Sequence, residues 1–124
     1  MREHIMDFEN RTAIVTGGAR GIGRGIALAL AGRGANVIIA DLDEESAQCV
    51  VNEIKSAGSR SYFCETDVTQ QWSTDQMVEA TLEEYGNLDV LVNNAGVGGA
   101  LGFTNRKIPN VEDWQQTFDV NVFG

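Results

Sequence analysis

The sequence predicts an α/β fold, a doubly wound parallel sheet with helices on both faces. Short apolar runs alternate four times with helical patterns along the 124 residues, which implies parallel strands joined by right-handed crossovers. The first apolar run, residues 12–15, leads into a glycine-rich turn, Gly17 to Gly23. Ligands bind at the carboxyl ends of the strands in such sheets, so the turns that follow the four runs form the candidate site.

The first half of the chain contains two strands and two helices by this pattern. Strands are expected at 12–15 and 36–40, and the second is too apolar to alternate, as in a strand covered on both sides. The first helix is expected at 22–33 and ends at the glycines of 32–34, with helical spacing between Ile22, Ile26, Ala29, Leu30 and Arg33. The second begins at Asp43, stops at Gly58 and buries Ala47, Val50, Val51 and Ile54.

The second half repeats the alternation. A third strand is expected at 61–64, a helix from Thr69 to Gly86, and a fourth strand at 88–92. One face of this helix is expected to carry Val78, Thr81, Leu82 and Tyr85. Residues 97–109 are expected to form a long loop, and a last helix begins at Asn110 or Glu112. We divide the chain into a lead-in, residues 1–10, and one domain, residues 11–124.

Composition excludes several classes of partner. Nine basic residues face 18 acidic ones, for a formal net charge of −9, whereas nucleic acids and anionic membranes are bound by clustered Lys and Arg. No apolar run is long enough for a membrane span, and residues 1–10 contain three acidic residues and no signal-peptide core. We expect a cytoplasmic protein that binds neither nucleic acid nor membrane.

The two cysteines carry no metal or redox motif. Cys49 and Cys64 lack C-x-x-C spacing, and the sequence has one histidine, so no metal site is predicted. Both cysteines lie among apolar residues and are expected to be buried, reduced thiols.

The glycine turn has the properties of an anion site. Its glycines, at 17, 18, 21 and 23, permit backbone angles and close contacts that a Cβ blocks, and the start of the next helix leaves N–H groups without partners. A phosphate or pyrophosphate fits these donors and the positive end of the helix dipole. The strict G-x-G-x-x-G pattern is absent, and Arg24 and Gly25 replace the Lys and Ser/Thr of a P-loop. A glycine-rich turn without a ligand is the alternative.

Acidic residues follow the second and third strands. Asp41, 18 positions beyond the last glycine of the turn, can accept hydrogen bonds from an adenosine ribose and would repel a 2′-phosphate, which favours NAD over NADP. Asp67 can accept from the adenine amino group while Val68 packs on the ring. Capping of the next helix is the alternative for each acid, with Asp43 and Thr69 as competing caps.

Asparagines mark the end of the fourth strand and the last helix. Asn93 and Asn94 are costly at the end of a buried strand unless their amides have partners, which a cofactor or a neighbouring loop can supply. Asn121 lies at helical spacing on an apolar stripe with Trp114, Thr117 and Phe118. It is either a hydrogen-bonded core residue or part of an active site.

Together these motifs resemble the short-chain dehydrogenase/reductase family. The turn Thr16-Gly17-Gly18-Ala19-Arg20-Gly21-Ile22-Gly23 is similar to that family's T-G-x-x-x-G-x-G, and Asn93-Asn94-Ala95-Gly96 is similar to its N-N-A-G. Asp41 corresponds to its acidic NAD-selecting position, Asp67-Val68 to its adenine-contacting pair, and Asn121 to the asparagine of its catalytic tetrad. The resemblance covers nearly the whole chain after residue 10.

The resemblance implies a Rossmann domain that binds NAD rather than NADP. It implies hydride transfer between nicotinamide and a small-molecule alcohol or carbonyl substrate, with Asn121 as a catalytic residue. The implied cofactor-binding residues are Gly17, Arg20, Gly21, Ile22, Gly23, Asp41, Leu42, Asp67, Val68, Asn94, Ala95 and Gly96.

The family's remaining catalytic groups are missing from these residues. In the family a Ser and a Tyr-x-x-x-Lys follow the asparagine helix, but here Thr66 lies four positions after Tyr62 and Asp89 four after Tyr85. We therefore expect the incomplete cofactor-binding half of a homo-oligomeric enzyme, truncated after the fourth strand and the start of the next helix, without turnover of its own. A non-catalytic dinucleotide-binding module is one alternative. An S-adenosylmethionine-dependent methyltransferase is another, although it has no use for the N-N-A-G turn.

Overall fold

The computed structural model describes residues 7–96, in which four parallel strands alternate with three helices. The elements are β1 (Thr12–Thr16), α1 (Gly21–Gly32), β2 (Asn36–Asp41), α2 (Glu44–Ser56), β3 (Ser61–Glu65), α3 (Gln71–Tyr85) and β4 (Val90–Val92). The strand order is β3-β2-β1-β4, and every pair is parallel. The predicted α/β class and the parallel sheet are confirmed.

Helices cover both faces of the sheet because successive strand residues point to opposite sides. On one face Val15, Val37 and Ile39 form a buried cluster with residues of α1 and α2. On the other face Ile14 and Ile38 form a second cluster with a residue of α3. Four consecutive residues of β2 are buried, as its continuous apolar run predicts.

The chain reverses its direction across the sheet between β1 and β4. It steps outward from β1 to β2 to β3, and α3 then carries it back to pair β4 with β1, where Val15 lies opposite Val92. In an open α/β sheet the ligand crevice lies at this reversal, beyond the carboxyl ends of the strands. The glycine turn and the segment after β4 therefore form its two sides.

The buried face of α1 differs from the predicted one. Ile22 and Ala29 are exposed, whereas Gly23, Ala27 and Ala31 are buried. The small residues let the helix approach the sheet closely, and larger apolar side chains remain at the margins of the contact. In α2, by contrast, the four predicted core residues are all buried.

The third helix begins later than predicted, and one of its expected core residues is exposed. Asp67 Oδ1 accepts from the N–H and the hydroxyl of Thr69 (3.0 and 2.6 Å), and this turn keeps Thr69 outside the helix. Leu82 is 45% exposed, and the buried residues of α3 are Ser73, Met77 and Thr81. β4 is also shorter than predicted, since it begins at Val90 rather than Leu88.

The expectation that both cysteines are buried is wrong. Both are free thiols; Cys64 is half-buried, and Cys49 is exposed on α2. At 3.6 residues per turn Cys49 lies on the side of α2 opposite its core face, so its apolar neighbours in sequence do not surround it in space. Among residues 7–96 no helix is long and apolar enough to cross a membrane. The predicted loop at 97–109, the last helix and Asn121 lie outside the described residues.

Truncation of the central strand should destabilise the fold strongly. Ile38 is fully buried in β2, so we expect Ile38→Ala to lower the free energy of unfolding by about 2–5 kcal/mol, because it removes apolar contacts and leaves a cavity. The matched control is Leu82→Ala on the exposed side of α3, with an expected loss of about 1 kcal/mol or less. Urea unfolding measures both, and equal losses would contradict the assignment of the core.

Candidate functional site

The hydroxyl of Thr16 joins the glycine turn to the segment after β4. Thr16 Oγ1 donates to the Val92 carbonyl (3.2 Å) and accepts from the backbone N–H groups of Asn94 and Ala95, both at 3.0 Å. The Asn94 side chain in turn donates from Nδ2 to the Gly17 carbonyl (3.2 Å). A neighbouring loop thus satisfies this amide, one of the two possibilities left open by the sequence.

The start of α1 packs directly on this junction. A Cβ at Gly23 would collide with the Gly17 carbonyl oxygen and with Asn94 Nδ2. A Cβ at Gly17 would lie 2.9 Å from Ala95 Cα, and the φ angle of Gly17 is +66°, which other residues rarely adopt. Both glycines are therefore required by contacts within the protein.

The start of α1 has backbone N–H groups without an acceptor in the part of the chain that the structure describes. Among residues 7–96 no acceptor binds the N–H groups of residues 20–23, and the first bond at this end runs from Arg24 N–H to the Arg20 carbonyl (3.2 Å). Apart from α1 and the residue before it, no atom of residues 7–96 lies within 4 Å of the place where a Cβ of Gly21 would lie, and Ile22 is 78% exposed. Open space, free donors and the positive end of the helix dipole suit an anion such as a pyrophosphate.

Asp41 links the end of β2 to the glycine turn. Its Oδ2 accepts from Ala19 N–H (3.1 Å), and its Oδ1 accepts from Asp43 N–H (3.0 Å). The residue that caps α2 is Asp43, whose Oδ1 accepts from Ser46 N–H at 3.1 Å. The capping alternative for Asp41 is therefore wrong, and its carboxylate lies beside the turn, where the ribose hypothesis requires an acid.

Asp43 makes a second contact that the sequence did not suggest. Its Oδ2 accepts from the Ser46 hydroxyl (2.8 Å) and lies 2.6 Å from Nη2 of Arg20. The Ser46 N–H and hydroxyl, with the Arg20 guanidinium, hold the pKa of Asp43 below its usual value. A charged Asp43 thus ties the β2–α2 turn to the residue that precedes α1.

Asp67 follows β3 at the same edge of the sheet. Besides its two bonds with Thr69, it donates its N–H to Ser73 Oγ at 2.8 Å. The N-cap position of α3 is Gln70, which makes no side-chain cap. Neither Asp67 nor Thr69 caps the helix, so that alternative is also wrong. Asp67 instead orders the turn between β3 and α3.

A groove of about 580 Å³ runs between β3 and α3. Leu42 and Asp67 lie on its wall with exposed Trp72, and the glycine turn is not part of it. Val68, the residue after Asp67, is half-buried. Contact of these residues with an adenine ring stays a prediction.

Comparison with known proteins identifies the family. The family model for short chain dehydrogenases matches residues 11–124. This chain belongs to the short chain dehydrogenase family. The resemblance inferred from the motifs is confirmed, and the match gives no support to a methyltransferase or to a non-catalytic dinucleotide-binding module.

Individual members of the family are similar over nearly the whole chain. The hydroxy(phenyl)methylsuccinyl-CoA dehydrogenase subunit BbsD of Thauera aromatica is 39% identical over 121 residues, which are 96% of this chain and 47% of that protein. The 7alpha-hydroxysteroid dehydrogenase of Escherichia coli K12 is 34% identical over 116 residues, 94% of this chain and 44% of that protein. The chain thus spans less than half the length of these curated relatives.

A solved structure of the family has the same fold. A short-chain type dehydrogenase/reductase from Mycobacterium marinum superposes with a TM-score of 0.84 at 31% identity, over 96% of this chain and 47% of that one. The match supports the Rossmann arrangement of the strands described above.

The predicted site residues of this family member come together at one edge, apart from Asn121, which lies outside the described residues. The glycine turn, Asp41, Asp67 and the segment 94–96 all follow carboxyl ends of the parallel strands. Sequence reasoning assigned no role to Thr16. Its place between the apolar run and the first glycine was the available signal, since a hydroxyl there can reach the neighbouring strand.

Two alanine substitutions in the same helix should have opposite effects. Gly23→Ala should lower the free energy of unfolding by about 1–3 kcal/mol, because the new Cβ overpacks the junction with Gly17 and Asn94. Gly25→Ala is the matched control: outside α1 itself no atom of residues 7–96 lies within 4 Å of its Cβ position, so it should raise the free energy of unfolding by about 0.5–1 kcal/mol. Urea unfolding of both variants tests the close packing, and a neutral Gly23→Ala would refute it.

Proposed function

We propose that this chain is the cofactor-binding half of an NAD-dependent oxidoreductase that transfers a hydride between nicotinamide and an alcohol or carbonyl substrate. Membership of the short chain dehydrogenase family supports a nicotinamide cofactor. The two named relatives are dehydrogenases of hydroxyl-bearing compounds, which supports the substrate class. The chain covers 47% and 44% of those relatives, so we propose the hydride-transfer activity for the whole protein of which this chain is a part.

The pyrophosphate of the cofactor would bind at the start of α1. Within residues 7–96 the N–H groups of residues 20–23 have no acceptor and no atom outside α1 and the residue before it lies near the Cβ position of Gly21, which supports this placement. Backbone donors at a helix start hold phosphate oxygens without requiring a lysine. When bound, the nicotinamide supplies the hydride acceptor or donor, and the residues described here orient the molecule that carries it.

The observation that carries the NAD preference is the position of the Asp41 carboxylate. Each of its oxygens accepts one backbone N–H, from Ala19 and from Asp43, and each keeps a lone pair for a ribose hydroxyl. The two bonds fix the negative charge at the end of β2, beside the turn. A 2′-phosphate would meet this fixed like charge, which costs several kcal/mol in a contact of this kind.

The adenine would lie beyond the ribose, between Leu42 and the turn after β3. Leu42 is 63% exposed and can cover one side of a ring, and Asp67 Oδ2 has no partner among residues 7–96 and can accept from an amino group. Val68 would pack on the ring. On the other side of the crevice, the N-N-A-G segment would line the nicotinamide half of the cofactor. As the resemblance to the family implies, Asn121 would support proton transfer.

The net charge bears on the kinds of partner that the protein binds. The formal net charge of −9 disfavours nucleic acid and anionic membrane as partners. We propose a cytoplasmic, homo-oligomeric enzyme that acts on a small molecule.

Removal of the Asp41 charge should weaken the discrimination against NADP. We expect Asp41→Asn to lower the ratio of NAD affinity to NADP affinity by at least about tenfold, because the like-charge contact with the 2′-phosphate is lost. Asp41→Ala should lower it too, with an additional loss of stability from the freed N–H groups of Ala19 and Asp43. Dissociation constants for both cofactors, from titration calorimetry, measure the ratio.

The control for this test is Asp75→Asn, which removes an equal charge from the exposed side of α3 and should leave the ratio unchanged. If Asp41→Asn keeps the wild-type ratio of NAD affinity to NADP affinity, the Asp41 carboxylate does not discriminate between the two cofactors at the ribose. A wild-type protein that prefers NADP would overturn the proposed cofactor.

A polypeptide of these 124 residues should bind NAD without oxidising or reducing a substrate. No Tyr-x-x-x-Lys occurs in it, and loss of a general acid or base typically costs about 10²–10⁴-fold in rate. Loss of the groups that support it should lower the rate further. Spectroscopic assay of NADH with a panel of alcohols and ketones tests this, with a complete family member as positive control. Turnover at the rate of that control would show that the catalytic groups lie elsewhere.

A further inference from the structure

We propose that Asp43 is a specificity-determining residue that holds the Arg20 guanidinium away from the adenosine ribose and so denies the site a partner for a 2′-phosphate. The inference rests on the proposed function, because it concerns the same cofactor. Its starting point is the 2.6 Å contact between Arg20 Nη2 and Asp43 Oδ2.

Arg20 is the residue of the turn best suited to bind a phosphate. It directly precedes α1, its backbone N–H has no acceptor among residues 7–96, and its side chain is 73% exposed. A guanidinium pairs with phosphate oxygens through two parallel hydrogen bonds. Released from Asp43, it could turn toward the ribose hydroxyls, which the proposed function places beside Asp41.

Asp43 is held in place by contacts other than the ion pair. Its Oδ1 accepts from Ser46 N–H, its Oδ2 accepts from the Ser46 hydroxyl, and its own N–H donates to Asp41 Oδ1. The carboxylate is therefore already oriented when Arg20 approaches, so only the arginine loses conformational freedom. An exposed ion pair otherwise contributes little, because both side chains must be ordered.

The contacts close a ring between the two turns. Asp41 accepts from Ala19 N–H, Ala19 precedes Arg20, Arg20 pairs with Asp43, and Asp43 donates back to Asp41. The two acids thus favour NAD over NADP in different ways. Asp41 repels a 2′-phosphate directly, and Asp43 pairs with the cation that would attract it.

The variant Asp43→Asn separates these effects. Asparagine caps a helix as well as aspartate does, so α2 keeps its cap while the charge that holds Arg20 is removed. In the full-length protein, we expect the dissociation constant for NADP to fall by about three- to tenfold, because exposed ion pairs are weak. The dissociation constant for NAD should change by less than about twofold. The NADP affinity should also become more sensitive to salt, which a loss of helix capping would not produce.

Two further variants complete the test. Arg20→Ala added to Asp43→Asn should abolish the gain in NADP affinity. Glu53→Gln is the matched control, because it breaks an ion pair of similar length, Arg24–Glu53 at 2.7 Å, from the same helix α2 and should leave both dissociation constants unchanged.

The outcomes distinguish this inference from the proposed function. The NAD to NADP ratio of the wild-type protein decides the proposed function, whereas the change of that ratio on Asp43→Asn decides the role of Asp43. An unchanged ratio in Asp43→Asn, or a gain that persists without Arg20, overturns the inference whichever cofactor the wild type prefers. Binding of neither cofactor by the wild type overturns both.

Discussion

The close contact between the start of α1 and the turns after β1 and β4 is the constraint on which the site depends. Gly23 lies against the Gly17 carbonyl and the Asn94 amide, where no Cβ can be accommodated. Because Gly23 has no side chain to separate the helix from these turns, the first N–H groups of α1 lie at the carboxyl edge of the sheet. The hydroxyl of Thr16 completes the contact, since it satisfies one carbonyl and two N–H groups of the β4 segment.

The same constraint explains which polar groups remain available to a ligand. At the β4 side of the crevice the backbone N–H groups of Asn94 and Ala95 are already bonded to Thr16, so these two donors are occupied. At the α1 side, the N–H groups of residues 20–23 have no acceptor among the described residues. Within residues 7–96 the crevice thus has one side where two N–H groups are occupied by Thr16 and another where the N–H groups have no acceptor, and donors of the second kind suit an anion.

The sequence predicted the sheet, and the gathering of the candidate residues at one of its edges, better than the details of the surfaces. Buried parallel strands read as continuous apolar runs, so β1 and β2 were predicted almost to the residue. Helical spacing failed on α1, because close packing there selects small residues such as Ala27 rather than large apolar ones. The expectation for Cys49 failed for a different reason, because it was based on apolar neighbours in sequence, whereas helical spacing places Cys49 opposite the buried face of α2. The Arg20–Asp43 pair was not predictable, because it joins two turns that only the folded sheet brings together.

Charge presents the remaining physical problem, because a protein with a formal net charge of −9 is proposed to bind an anionic dinucleotide. Long-range attraction cannot supply the affinity. In the proposed function the backbone dipoles at the start of α1 bind the pyrophosphate, and dipoles act at short range and with strict orientation. The charged groups nearby, Asp41, Asp43 and Arg20, then serve selection instead of affinity. In this proposal the glycine turn would accept any dinucleotide of suitable shape, and the acids after β2 would decide between a hydroxyl and a phosphate at the ribose.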